Sequence, residues 1–148
     1  MNCFICQKSI YECATVVPCL HNFCILCLMH YLQASQDCPE CGERLESFRK
    51  NKSLNYIFEV YEESGYRKDR SPEECKEIEE RLKTEKILIK FEYENGDIYE
   101  GEWRKGRIDG SGKMEFIGGD LYEGEWKNDM MDGRGKNIYH NGNVYEGE

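Results

Sequence analysis

Eight side chains able to bind metal, set in one spacing pattern, constrain this chain more than any other feature. They run Cys3-x-x-Cys6, twelve residues, Cys19-x-His21-x-x-Cys24-x-x-Cys27, ten residues, and Cys38-Pro39-Glu40-Cys41. A C-x-x-C turn brings two thiolates to about the 2.3 Å zinc–sulfur bond length from one ion, and tetrahedral zinc takes four such donors. Seven cysteines and one histidine make two sets of four, so the pattern predicts two zinc ions. Four half-sites divide between two ions in three ways, and spacing alone does not choose among them. Cys13 and Cys75 stand outside the pattern and read as small buried hydrophobes.

All but one of the nine cysteines lie in the first 41 residues, whereas the glycines are concentrated after position 95, so the 148 residues fall into chemically different halves. MNCFICQKSI carries neither a basic leader nor an apolar signal core, which points to an intracellular, most simply cytoplasmic, reducing setting where paired cysteines ligate metal. No apolar run approaches the roughly 18 residues a membrane span needs. The net charge of −9 is uneven, with 8 basic and 14 acidic groups in residues 87–148. Phosphate backbones and anionic lipid surfaces bind through Lys and Arg, so this region is expected to repel both, and nucleic acid is not an expected partner.

From residue 87 onward the chain repeats with a period of 23. Tyr99-Glu100-Gly101-Glu102-Trp103 returns as Tyr122-Glu123-Gly124-Glu125-Trp126 and again as Tyr145-Glu146-Gly147-Glu148. Gly96, Gly119 and Gly142 keep the same register, as do Ile98, Leu121 and Val144. Each period holds two short aromatic or β-branched runs separated by glycine-bearing turns such as Gly118-Gly119-Asp120, the pattern of a β-hairpin. A hairpin with Tyr and Trp on one face cannot bury that face alone, so stacked neighbours, an antiparallel β-hairpin solenoid, are expected. Asp129 departs from the pattern, standing where Gly106 stands one repeat earlier, and an open strand edge near Glu148 invites self-association.

Between the halves, Leu54, Ile57, Phe58 and Tyr61 fall at helical spacing, with a break at Ser64-Gly65. Ser71-Pro72-Glu73-Glu74 then supplies an N-cap serine, a first-turn proline and a capping-box glutamate, predicting a second helix from 72 to about 86. Three segments result: residues 1–46, a helical connector over 47–86 that docks weakly on its neighbours, and the repeats over 87–148.

The N-terminal pattern resembles the RING finger, a small zinc-stabilised α+β domain of ubiquitin ligases. The resemblance implies cross-brace pairing, with Cys3, Cys6, Cys24 and Cys27 on one zinc and Cys19, His21, Cys38 and Cys41 on the other. It also implies that a ubiquitin-conjugating enzyme docks on an apolar groove at Ile5, Tyr31 and Pro39; Leu20, Phe23, Leu28 and Leu32 are better placed to fill the core. With all eight donors on metal, none of them is available as a catalytic nucleophile and neither zinc has a position for activating water. Many active family members carry a basic residue after the last cysteine; here that place holds Gly42, and Arg44 follows two residues on. The repeats resemble the MORN family through Tyr99, Gly101, Trp103, Asp109, Gly110 and Gly112 and their counterparts Tyr122 to Gly135. Two complete copies lie between partial ones. Together these imply a ligase that passes ubiquitin to a protein substrate without a covalent intermediate, with the repeats recruiting the substrate or localising the enzyme. A non-catalytic zinc-binding scaffold organised by the repeats is the alternative. A lipid-binding adaptor, suggested by the membrane association of MORN proteins, has the acidic charge against it.

Overall fold

The computed structural model describes residues 1–63 and 69–148. These form two compact units, Met1–Glu85 and Lys86–Glu148. In the first, strand β1 (Cys13–Val17) is the centre of a small antiparallel sheet, flanked by β2 (Asn22–Cys24) and β3 (Ser47–Lys50). β2 runs directly into helix α1 (Ile25–Tyr31). Phe23, Leu28 and Leu32 are buried with Ile10, Val16 and Leu45. Leu20, expected in this core, is instead 64% exposed. It sits between two ligand positions in a tight turn at φ +61°, which aims its side chain away from the sheet.

β3 lies in the stretch that the spacing assigns to the connector. Four residues, Ser-Phe-Arg-Lys, are too few to display strand alternation, yet Phe48 pairs opposite Val16 and is buried. Helix α2 (Lys52–Glu63) follows and is tied to β1 by polar side chains. Asn51 Nδ2 donates to Thr15 Oγ1 at 2.9 Å, and Cys13 N–H donates to Asn55 Oδ1 at 2.6 Å. Its apolar stripe is only partly used, since Ile57 is 44% exposed. The side chain of Tyr61 and the break at Ser64-Gly65 lie outside the described residues. Helix α3 (Pro72–Thr84) opens as its sequence predicts, with Glu74 N–H donating to Ser71 Oγ at 3.2 Å. It belongs to the same compact unit as the metal-binding segment and meets it through polar contacts, among them Tyr11 Oη to Glu79 Oε1 at 2.5 Å.

The second unit is one antiparallel sheet of six strands in chain order: β4 (Ile87–Glu92), β5 (Ile98–Arg104), β6 (Arg107–Glu115), β7 (Leu121–Lys127), β8 (Met130–Ile138) and β9 (Val144–Gly147). The 23-residue period becomes three rows crossing the strands. One row reads Ile89, Gly101, Gly112, Gly124, Gly135, Gly147, and the next on the same face Phe91, Tyr99, Met114, Tyr122, Asn137, Tyr145. Between them on the other face runs Lys90, Glu100, Lys113, Glu123, Lys136, Glu146. Each tyrosine ring lies over the glycine row: a methyl at Gly112 would overlap the Tyr99 ring, and one at Gly135 the Tyr122 ring. The Tyr99 hydroxyl donates to Glu102 O at 3.2 Å and that of Tyr122 to Glu125 O at 3.0 Å. Trp126 closes the joint between repeats, edge-on to Tyr122 at 5.1 Å and to Tyr99 at 5.5 Å, geometries each worth about 0.5–1.5 kcal/mol beyond area burial.

Carboxylates link successive repeats as well. Asp97 Oδ1 accepts from Ile117 N–H at 3.0 Å, and Asp120 Oδ1 repeats this with His140 N–H at 2.8 Å. Asp129 occupies its turn at φ +69°, a left-handed conformation Asp tolerates better than most side chains, and its Oδ1 accepts from Ile108 N–H at 2.9 Å. The departure from glycine thus adds a cross-repeat bond. Burial fades toward the end of the sheet, from 0% exposure at Tyr99 and 4% at Tyr122 to 54% at Tyr145.

Substituting Gly112→Ala should therefore destabilise the repeat unit by about 1–3 kcal/mol, the usual cost of overpacking. Gly118→Ala, where a methyl meets nothing within 4 Å, should stay within about 0.5 kcal/mol. Both tryptophans lie in this unit, so denaturant unfolding followed by their fluorescence reports on it alone.

Candidate metal centre

The strands and α1 interleave the ligand positions. β2 ends at Cys24 and α1 carries Cys27, while the hairpin turn before β2 carries Cys19 and His21. Two clusters result, Cys3, Cys6, Cys24 and Cys27 in one and Cys19, His21, Cys38 and Cys41 in the other, each with all its donor atoms within 4.8 Å of one another. The alternating, cross-brace grouping is thereby realised among the three that spacing permits. All nine cysteines are free of disulfides.

The donors fit zinc. A tetrahedron of 2.3 Å zinc–sulfur bonds has edges of about 3.8 Å; Cys6 Sγ and Cys24 Sγ are 3.9 Å apart, and Cys38 Sγ lies 3.5 Å from His21 Nδ1. The other imidazole nitrogen, Nε2, lies 3.7 Å from Glu40 Oε1, so a carboxylate stands behind the histidine as in many zinc sites. In the first cluster, Tyr11 N–H points to Cys24 Sγ at 3.3 Å and Cys24 N–H to Cys3 Sγ at 3.4 Å. Hydrogen bonds from the Cys24 and Cys27 thiols hold Cys3 far below the ordinary thiol range, while donation to Cys24 and Cys3 drives Cys27 far above it. Burial pushes Cys19 up to about 11. Thiols so crowded cannot all ionise unaided; a dication that displaces their protons lets them do so.

Ile5, Tyr31 and Pro39 each remain half-buried on a ligand-bearing segment rather than sealed in the core. Ile5 lies in the turn between Cys3 and Cys6, Tyr31 ends α1, and Pro39 lies between Cys38 and Cys41. Two exposed apolar residues beside them were not legible as surface: Phe4, 51% exposed, and Leu20. Each sits between two ligands of one cluster, a position where the turn rather than hydropathy sets direction. Gly42 has φ +76° and its N–H closes the last ligand loop on Cys38 O at 2.9 Å, while Arg44 donates to Gln36 Oε1 at 3.2 Å.

A C3HC4 RING finger followed by MORN repeats is what these features define. Residues 2–41 match the family model described as zinc finger, C3HC4 type (RING finger), and residues 99–121 and 122–144 each match the MORN repeat. The chain is 33% identical over 89 residues, 60% of its length, to E3 ubiquitin-protein ligase CHFR of Danio rerio, and 35% identical over 88 residues to Protein NCA1 of Arabidopsis thaliana. It is 34% identical over 72 residues, 46% of its length, to E3 ubiquitin-protein ligase IE61 of Cercopithecine herpesvirus 9. It spans only 14%, 21% and 14% of those proteins' lengths. No helix among the described residues is long and apolar enough to cross a membrane.

Removing the metal should unfold the first unit alone, because a structural zinc contributes on the order of 10–16 kcal/mol. With a strong zinc chelator, amide resonances of residues 1–50 should collapse to unfolded positions while Trp103 and Trp126 keep their folded emission. Loss of both signals together would contradict independent units.

Proposed function

We propose that this chain is a RING-type ubiquitin ligase that docks a ubiquitin-loaded conjugating enzyme and promotes transfer to a substrate lysine. The observation that carries it is the pair of interleaved Cys/His clusters with Ile5, Tyr31 and Pro39 left half-exposed on their loops. The relatives named as E3 ubiquitin-protein ligases support it. Cys3, Cys6, Cys24 and Cys27 hold one zinc, and Cys19, His21, Cys38 and Cys41 the other. The ions act as structural cross-links, leaving none of the seven ligand thiolates free as a nucleophile. The chain therefore works by orientation: it holds the thioester of the conjugating enzyme against the incoming lysine, a route by which effective concentration lowers a barrier by several kcal/mol.

The MORN repeats serve as the recruitment or localisation module, behaving as a solenoid in which each hairpin is stabilised by the next. Their acidic balance of 14 to 8 favours a protein ligand over a lipid surface. An intracellular, cytoplasmic setting suits the unbridged thiols. A second reading, a non-catalytic scaffold, is favoured by Gly42. Where many active RING fingers carry a basic side chain, this chain has a left-handed backbone in which such a residue costs about 1–2 kcal/mol.

Autoubiquitination with a panel of conjugating enzymes tests this. Wild type should form chains with at least one enzyme, Ile5→Ala should lose at least tenfold in rate while retaining zinc, and Cys24→Ala should be inactive. Activity surviving in both variants would remove the RING as its source, and inactivity of wild type throughout would favour the scaffold. For the repeats, Trp103→Ala should lower the thermal midpoint of the second unit by several degrees; an unchanged midpoint would contradict stacking.

A further inference from the structure

The two metal centres differ in charge and in what surrounds them. Four thiolates on a zinc dication leave the first centre at −2, whereas three thiolates and a neutral imidazole leave the second at −1. Among the described residues, a buried cation stands beside the more negative one. Arg70 lies far along the chain from the ligand pattern, yet its Nη2 donates to Cys6 Sγ at 3.1 Å and to Cys24 Sγ at 3.4 Å. Its side chain is 6% exposed. The remaining nitrogens are fixed as well: Nε donates to Ser9 O at 2.9 Å and Nη1 to Glu74 Oε1 at 3.2 Å. Asp69 Oδ2 accepts from Ser9 N–H at 2.5 Å, and Glu74 is also paired with Lys8 at 2.5 Å.

We propose that Arg70 is part of the first metal centre, a positioning residue supplied by the start of α3 that neutralises and hydrogen-bonds the Cys6 and Cys24 thiolates and sets how firmly the first zinc is held. A guanidinium hydrogen-bonded to metal-bound sulfur withdraws charge from it and makes it less available to protons, alkylating agents and competing chelators. Its planar fork reaches two sulfurs at once, which an ammonium does less well. The capped start of α3 immediately after Arg70 holds the fork in place. Residues 2–41 are thus an incomplete first centre, and the whole of Met1–Glu85 is the unit that binds metal with full strength.

This inference rests on the ligand assignment and not on ligase activity. The test uses the full zinc-loaded chain, a chelator and N-ethylmaleimide, with labelled cysteines mapped by mass spectrometry. Wild type should first show two zinc ions per chain; fewer would defeat the ligand assignment and the proposal with it. In Arg70→Gln, Cys3, Cys6, Cys24 and Cys27 should label about tenfold faster, in line with losses seen on removing groups that support metal ligands. Cys19, Cys38 and Cys41 should label at the wild-type rate. Arg70→Lys, which keeps the charge and loses the fork, should fall between, and serves where the glutamine variant does not fold. Arg81→Gln loosens the same helix at its far end, where Arg81 Nη2 meets His30 Nε2 at 3.2 Å, and should leave labelling unchanged. Uniform acceleration of all seven ligand cysteines, no acceleration, or equal effects of the Arg81 and Arg70 variants would overturn the proposal.

Discussion

Each metal centre draws its donors from both sides of the other along the chain, and the rest of the first unit follows from that constraint. Cys19 and His21 lie between the two halves of the first cluster, and Cys24 and Cys27 between the two halves of the second. Neither centre can close without enclosing part of its counterpart. The few buried residues here, such as Ile10, Phe23 and Leu28, set the sheet and α1, but the loops carrying Ile5 and Pro39 are shaped by metal geometry. A surface made this way is positioned to bond-length tolerance while staying open to a partner. That suits a protein whose proposed contribution is orientation, with the chemistry done on thioester and lysine.

The second unit answers the same shortage of core by repetition. A single hairpin presents Tyr and Trp it cannot cover; the glycine row lets each tyrosine lie flat across its neighbours, and Trp126 bridges two repeats. Aspartates at 97, 120 and 129 bind backbone amides of neighbouring repeats, so the loops are tied across repeats as the strands are. The two units share no organising principle beyond this economy.

Much of this was legible in the residues. Ligand spacing and the 23-residue period are strict, so two metal centres and paired strands could be read directly, while the cross-brace pairing came from family resemblance; the capped start of α3 was equally plain because Ser-Pro-Glu-Glu has a local meaning. What could not be read depended on long-range partners. β3 is four residues whose strand character comes from β1, not from its own pattern. Leu20 looked like core by hydropathy and is turned outward by the backbone between two ligands. Arg70 lay among charged residues of a connector and gave no local sign that it reaches sulfurs 46 and 64 residues earlier. The assignment of Ile5, Tyr31 and Pro39 as proposed conjugating-enzyme contacts comes from family resemblance, since half-burial alone does not separate docking from packing.

The row from Lys90 to Glu146 has a consequence for how such a protein changes over generations. Its sign alternates from strand to strand, so its unit cell is two strands wide. Deleting or inserting one strand would set like charges directly opposite each other, which is destabilising in a sheet. Gain or loss of two strands restores the alternation, and two strands are what one 23-residue period encodes. Duplication of a whole period is therefore electrostatically silent, and an array built on this lattice can vary its reach in steps of one hairpin without redesigning any joint.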